Sequence, residues 1–446
     1  MDLDQRLQNV TIIGAAGKMG SGIGVLIAQE MARLKLVPEN KGNIYRLNLV
    51  DVSEEALDGL RAYMKAQLVK AGEKSTVMLR ELYRHRKDLV ENSDIINAFV
   101  DDSTSVLNYS TDLGIAAKSH LIFEAIFENE KVKIKIYKKL NRMCSKDTLY
   151  LTNTSSIPIG YLDDSAGLGG RLIGYHFYNP PVVQRLVEVI AAKNTTEELK
   201  AVAGELGKRL RKKLVPANDI SGFIGNGHFI RDGLHGIAEV DRLKAKFRYP
   251  GAVYAVNRIT QDFLVRPMGI FQLIDYVGID VFQCILKVMR THLPDDSLRS
   301  KLIDRMAKYK VLGGQYADGS QKDGFLKYEK NRPVGIYDLR KKEYFHISEE
   351  WRKRMDKKLG PLPDGFVPWR GLLMDSNKEE KLRQHFEKIT AMDTLGAQLA
   401  TAFLKKTKDI AEGLVSRGVA NSGEDVNAVL MNGFFWLYGP INNYLE

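Results

Sequence analysis

Cysteine is nearly absent from this chain. Two occur in 446 residues, Cys144 and Cys284, with no pairing pattern, which argues against a disulfide framework and fits a reducing compartment. No apolar run is long enough to span a bilayer. The first residues, MDLDQRLQNV, lack the basic and apolar regions of a secretory signal. The expectation is a cytoplasmic protein with no membrane partner. Metal-binding patterns are missing too: the eight histidines are scattered, with no His-x3-His pair and no Cys-x2-Cys run, so no metal site is expected. His228 and His235, seven apart, read as core or surface histidines of a helix.

Charge is not lacking, and its balance is positive, with a net charge of +11. The basic residues are spread out and mixed with acids, so nucleic acid is not an expected partner. A positive surface also suits a multiply phosphorylated small substrate. The densest cluster is Lys208, Arg209, Arg211, Lys212 and Lys213. It closes a helical pattern and reads as a solvated helix C-terminus, where cations suit the dipole.

The length allows two or three domains. VTIIG (Val10–Gly14), RLNLVD (Arg46–Asp51), LIFEAI (Leu121–Ile126) and LYLTNT (Leu149–Thr154) are strand-like runs with helical patterns between them. That is the order of a mostly parallel sheet. RLIGYHF and RLVEVI follow closely, and the short connection predicts an antiparallel pair at the sheet's end. From about Asp219 helical patterns dominate. A Gly- and Lys-rich stretch at about 310–345 holds the hairpin-like GFLKYEK and PVGIYDL, and helices return from about Glu349. Within the helical part, Ile237-Ala238-Glu239 recurs as Ile410-Ala411-Glu412, Val253 to Val256 as Val426 to Val429, and Pro267 as Pro440, all at an offset of 173. One register for three matches points to a duplicated helical unit. The fold class expected is α/β followed by all-α: a Rossmann-type doubly wound sheet, residues 1–218, then helical domains at 219–345 and 346–446.

Gly14-Ala-Ala-Gly17-Lys18-Met19-Gly20 follows a strand and precedes an amphipathic helix. Glycines there let the backbone turn tightly beside a pyrophosphate whose charge sits at the helix N-terminus. The spacing is GxxGxxG, one residue longer than the commoner GxGxxG. Asp51 ends the second strand; a carboxylate there accepts from ribose hydroxyls and repels a 2′-phosphate, which favours NAD over NADP. It lies 31 residues after Gly20, with Pro38–Arg46 as an inserted segment.

GYHFYNPPVVQRLVEVI holds His176 and Glu188 near corresponding places on two strands joined at Asn179-Pro180-Pro181. Brought together, a carboxylate selects the imidazole tautomer and stabilises its charged form. Ser155, in TNTSS at a strand end, and Asn226, in GFIGN, can donate hydrogen bonds to a carbonyl or alkoxide oxygen; N-capping is the other reading of the serine.

Taken in order, IGAAGKMG, FEAIFEN, TNTSS, HFYNPPVVQRLVEV, GFIGN, PMGIFQLIDYVG and DGFLKY resemble the L-3-hydroxyacyl-CoA dehydrogenase family, over roughly residues 8–335 and again in the terminal repeat. The resemblance implies an enzyme of fatty acid β-oxidation chemistry, with NAD and acyl-CoA in a cleft. It implies His176 as acid/base with Glu188 as its partner, and Ser155 and Asn226 as substrate-polarising residues. Glu128, Lys133 and Asn179 join Gly14, Gly17, Lys18, Met19, Gly20 and Asp51 as expected cofactor residues. Lys74 matches a lysine that contacts the CoA phosphate in the family, although the serine seven residues upstream of it is Gln67 here. The family's lysine before the GF of its KTGEGF-like run is Ser320, with Lys322 two residues later. At the repeat offset Asn226 corresponds to Leu399 and Gly222 to Leu395, so the second copy lacks the site chemistry. It resembles the duplicated helical half of the multifunctional β-oxidation enzymes, implying an internal pseudo-dimer in a monomer, or a homodimer.

Overall fold

The computed structural model describes residues 1–316 and 319–445; residues 317 and 318, in the Gly- and Lys-rich stretch, and residue 446 lie outside the described residues. The chain divides into two compact units, Met1–Asp219 and Ile220–Glu446.

The first unit is built on an eight-stranded sheet in the order β3-β2-β1-β4-β5-β6-β7-β8. The strands are β1 (Asn9–Ile13), β2 (Arg46–Val50), β3 (Leu107–Ser110), β4 (Leu121–Glu124), β5 (Leu149–Thr152), β6 (Leu172–Phe177), β7 (Leu186–Ala191) and β8 (Lys213–Asn218). Every pairing is parallel except β6 with β7. β4, β5 and β6 are buried along their whole length. Both faces are therefore covered, which is why these segments read as continuous rather than alternating apolar runs. The expected antiparallel pair is present. Two strands that the pattern does not announce lie at the edges. β3 is only four residues, LNYS, and β8 contains Pro216, tolerated where no further strand needs its N–H.

Three helices of this unit position the site. Helix α1 (Lys18–Lys35) follows β1 directly. Helix α2 (Glu54–Lys74) starts at Ser53, whose hydroxyl accepts from the Ala56 N–H, with Glu54 and Glu55 in its first turn. Helix α3 (Glu130–Met143) is capped by Asn129 and buries Lys133, Tyr137 and Leu140 on one face, a spacing of four and three that puts a lysine where a core residue is ordinary. A fourth helix, α4 (Glu197–Arg209), leads to β8. Of the basic cluster expected to be a solvated helix end, Lys208, Arg211 and Lys213 are exposed, but Arg209 and Lys212 are not free in solvent. Arg209 pairs with Asp4, Glu30 and Glu205, and Lys212 turns inward, as described below.

The second unit is helical with a three-stranded antiparallel sheet. β9 (Leu326–Glu329) and β10 (Arg332–Asp338) form the expected hairpin, and β11 (Glu343–His346) adds a strand. Its long element α5 (Gly225–Arg258) is two helices joined at a kink, broken at Arg248 (φ 59°, ψ 168°) just before Pro250. Helices α6 (Leu395–Ser416) and α7 (Gly423–Gly433) pack against α5. Among them lies a buried ion pair. The Arg266 guanidinium donates to Asp232 at 3.0 Å and to the Thr407 hydroxyl at 3.1 Å, and Thr407 donates to Asp232 at 2.8 Å. The guanidinium carbon lies 3.9 Å from the Trp436 ring centroid. Histidine 228 is a core residue here, fully buried and pushed down to about 4 by that burial. No helix of the described residues is long and apolar enough to cross a membrane.

Removing one partner of a buried pair leaves an uncompensated charge. Asp232→Ala is therefore expected to destabilise the second unit by about 3–5 kcal/mol, measured by urea unfolding. A change within the ordinary surface range of about 0.5 kcal/mol would contradict the arrangement.

Candidate active site

The carboxyl ends of the parallel strands share one edge of the first unit, and the expected residues of this unit, apart from Lys74, collect there. β1 is followed by Gly14 at φ +78°, and a Cβ at that position would meet the Ala125 carbonyl oxygen at 2.7 Å. A Cβ on Gly20 would sit 2.1 Å from the Gly14 oxygen. The turn thus admits only hydrogen at both positions. Gly17 is the N-cap of α1, no side chain caps that end, and the first turn contains Lys18 and Met19 but no acid. An anion suits such a terminus.

Asp51 follows β2. One carboxylate oxygen accepts from the Ala16 N–H at 2.9 Å and the other from the Val52 N–H at 2.8 Å. Asp51 thereby ties the second strand to the glycine turn. A carboxylate offers about four acceptor sites, so two uses leave capacity for hydroxyls. Gly14, Gly17, Asp51, Val52, Ala125 and Phe127 line one open groove. These features fit a dinucleotide, with its phosphates at the turn and its ribose at Asp51.

Glu128 organises the loop after β5. Its Oε1 accepts from the Thr154 hydroxyl (2.6 Å), the Ser155 and Ser156 N–H groups (3.0 Å each) and the Ser156 hydroxyl (2.9 Å). Beneath it Lys133 is fully buried. Its ammonium reaches Glu124 at 2.7 Å and Glu128 at 3.4 Å, and Glu124 also accepts from Tyr137 and Thr152. Burial alone would raise the Glu128 carboxyl and lower the Lys133 ammonium. Their attraction, with the Glu124 charge and the Thr154 and Ser156 hydroxyls, reverses both shifts. In this geometry Lys133 touches carboxylates, and the segment bearing Ser155 is held through Glu128.

His176 on β6 lies directly opposite Glu188 on β7. The Nδ1 to Oε2 distance is 2.9 Å, and Glu188 is fully buried. A carboxylate only accepts, so Nδ1 carries the proton and Nε2 is the basic nitrogen. The sequence reading missed Tyr178. Its hydroxyl donates to the same Oε2 at 2.7 Å, and its ring centroid is 4.8 Å from the imidazole's. Burial, then the Glu188 charge, push this hydroxyl well above its ordinary range, so it stays a donor. The signal available was its spacing of two from His176, which puts both on one side of an extended chain. Asn179 begins the bend to β7. The next residue but one, Pro181, packs on α1, where a Cβ on Gly22 would meet it at 2.7 Å.

Other expected residues lie elsewhere. Lys74 is exposed in the last turn of α2, about 30 Å of helix from the Asp51 end. Asn226 is in the second unit, in the first turn of α5. Lys322, also in that unit, places its ammonium 5.1 Å from the Tyr316 ring centroid.

Residues 9–220 match the 3-hydroxyacyl-CoA dehydrogenase NAD binding domain, and residues 236–328 match the 3-hydroxyacyl-CoA dehydrogenase C-terminal domain. A probable 3-hydroxybutyryl-CoA dehydrogenase of Deinococcus radiodurans is 31% identical over 224 residues, 48% of this chain and 76% of that protein. The chain belongs to the 3-hydroxyacyl-CoA dehydrogenase family. It is an oxidoreductase, and NAD is its cofactor. A probable 3-hydroxybutyryl-CoA dehydrogenase of Bacillus subtilis is 28% identical over 69% of this chain and 95% of its own length. FadB2 of M. tuberculosis resembles the dehydrogenase at a TM-score of 0.54 and 28% identity, over 72% of this chain and 99% of that one. A 3-hydroxybutyryl-CoA dehydrogenase structure from Escherichia coli shares the fold over 98% of this chain and 90% of its own, with a TM-score of 0.62 and 20% identity.

Two outcomes follow from this geometry. Gly20→Ala is expected to weaken NADH binding at least tenfold, about 1.4 kcal/mol, read by NADH fluorescence titration; wild-type affinity would contradict the close approach. Glu128, depressed in the fold, contributes stability that is complete above its ordinary value of 4.5 and is lost as pH falls through the lower folded value. Thermal unfolding of Glu128→Gln should therefore lose less stability in acid than the wild type does.

Proposed function

We propose that this dehydrogenase oxidises an L-3-hydroxyacyl-CoA to the 3-oxoacyl-CoA, reversibly, with His176 as the acid/base. The observation that carries the reading is the double anchoring of Glu188, whose Oε2 accepts from both His176 and Tyr178. NAD, when bound, supplies a hydride acceptor. His176 Nε2 takes the substrate's 3-hydroxyl proton in oxidation and returns it in reduction. Glu188 holds the Nδ1 proton and stabilises the imidazolium that forms. Ser155, on the turn held by Glu128, and Asn226, at the start of α5, are assigned to the reacting oxygen and the thioester carbonyl. Asn179, Lys18, Met19 and Glu128 are assigned to the cofactor, with Lys133 acting through Glu128. Lys74 is assigned to the CoA phosphate, and Lys322 to the contact of the displaced family lysine.

We also infer that 346–446 is a second copy of the helical domain at 219–345, forming an internal pseudo-dimer. One contact in each half supports the duplication, at a register of 170 rather than the 173 of the sequence matches. A Cβ on Gly269 would meet Asn257 Oδ1 at 2.3 Å, and one on Gly439 would meet Asn427 Oδ1 at the same distance. Each asparagine lies twelve residues before its glycine. Its Oδ1 accepts a backbone N–H just beyond that glycine, from Gln272 and from Ile441.

The test is NADH oxidation with acetoacetyl-CoA beside free acetoacetate. Turnover confined to the CoA ester is expected. Turnover of acetoacetate alone would instead favour a dehydrogenase of a non-CoA hydroxy acid. His176→Ala should reduce kcat on the order of 10²–10⁴-fold with NADH affinity kept; near-normal kcat would sink the assignment.

A further inference from the structure

The bend between β6 and β7 is gripped from outside by a lysine that the reaction does not use. Lys212 lies between α4 and β8. Its ammonium donates to the Pro181 carbonyl at 2.6 Å and to the Gln184 carbonyl at 2.7 Å. Among the described residues no carboxylate pairs with it. The ammonium is 6.0 Å from the centroid of the Phe177 ring, which adjoins His176. Burial lowers it to about 8, so the two carbonyls solvate a charge that remains at neutral pH.

The backbone is shaped to deliver this side chain. Helix α4 ends with the Arg211 N–H on the Lys208 carbonyl and the Lys212 N–H on the Gly207 carbonyl, the pattern that calls for a left-handed residue, usually glycine. Arg211 takes that position at φ 54°, a conformation unfavourable for a residue with a Cβ. The turn puts Lys212 against the bend.

The bend is thus held from two sides. Pro181 rests on Gly22 of α1, the helix that starts at the glycine turn, and Lys212 fixes the same residue's carbonyl. We infer that Lys212 is a positioning residue of the dehydrogenase, setting the bend that presents Asn179 to the cofactor and aligns His176 with Glu188; this rests on the functional reading above. The bend's own bonds, Val183 and Gln184 N–H to the Pro180 carbonyl, close it as a turn but do not fix where it sits. The Gly22 contact and Lys212 tie it to its surroundings on two sides, and Val182 packs on the core.

The experiment compares Lys212→Met, which fills the space without donating, with Lys212→Arg, which keeps charge and donors. Three readouts are taken on the full chain: NADH affinity by fluorescence, the His176 Nδ1–H proton by nuclear magnetic resonance, and kcat with acetoacetyl-CoA. Lys212→Met is expected to shift or broaden the His176 signal, weaken NADH binding several-fold and cut kcat on the order of 10–100-fold, as small misplacements do. Its Tm should stay close to wild type, and Lys212→Arg should recover most of each loss. Wild-type values of all three readouts in Lys212→Met would overturn the inference. So would losses that appear only with a collapse of Tm, since Lys212 would then support the whole unit. Should the wild type turn over no acyl-CoA, the functional reading fails by itself, and the affinity and resonance readouts still decide on Lys212.

Discussion

A carboxylate buried in a sheet must be met by donors, and the rest of this site is arranged around how Glu188 is met. The His176 and Tyr178 donors come from the neighbouring strand and its exit. The antiparallel register sets His176 against Glu188, and the alternation of an extended chain sets Tyr178 on the same side. A one-residue slip would turn His176 to the other face and leave Glu188 without the imidazole. The register is the central constraint. The bend, the Pro181 packing on α1 and the Lys212 grip all act on the segment that fixes it.

The same edge of the sheet collects the charged groups of the site. Glu124, Lys133, His176 and Glu188 are buried there beside the half-buried Glu128, at the carboxyl ends of β4 to β6 and the start of β7, while Arg6, Glu30 and Asp163 are buried elsewhere in the unit. Strand interiors have no spare donors, because each N–H is used in the ladder. Strand ends do, and the loop N–H groups of Ser155, Ser156 and Ile126 answer the carboxylates. Burying these groups adds little net stability, since desolvation offsets attraction. What the network supplies is a fixed loop: Glu128 accepts four good donors from one turn, and that turn has few alternatives.

Local backbone constraints were the legible part. The glycine turn could be read because it sits in a short strand–turn–helix pattern and Gly20 answers to Gly14 six residues away, although the clash at Gly14 is with the distant Ala125. The strand–bend–strand segment could be read because its pattern is short. Asp51 was placed correctly at a strand end, yet its bond to Ala16 N–H needed the fold. Lys212 was misread as one of several solvated lysines, because its partners are 28 and 31 residues away and nothing in a run of cations marks the one that turns inward. Arg211 hides the turn that does it, since a glycine would have announced the left-handed residue. β3 and β8 escaped notice for a related reason. Edge strands bury one side or little: β3 has only four residues, and Pro216 interrupts the strand signal of β8.

The terminal segment bears on the start of α5. Asn226 sits in the first turn of α5, and its orientation depends on how that helix is held. Gly227, the next residue, would meet Leu414 of α6 at 3.1 Å if it had a Cβ. Six residues after Asn226, about 9 Å along the helix, Asp232 enters the buried pair completed by Arg266 and Thr407 of α6, under the ring of Trp436. The last hundred residues therefore clamp the start of α5 through packing and charge. A helix end is the part most prone to fray, and the turn bearing Asn226 is the end that this clamp holds.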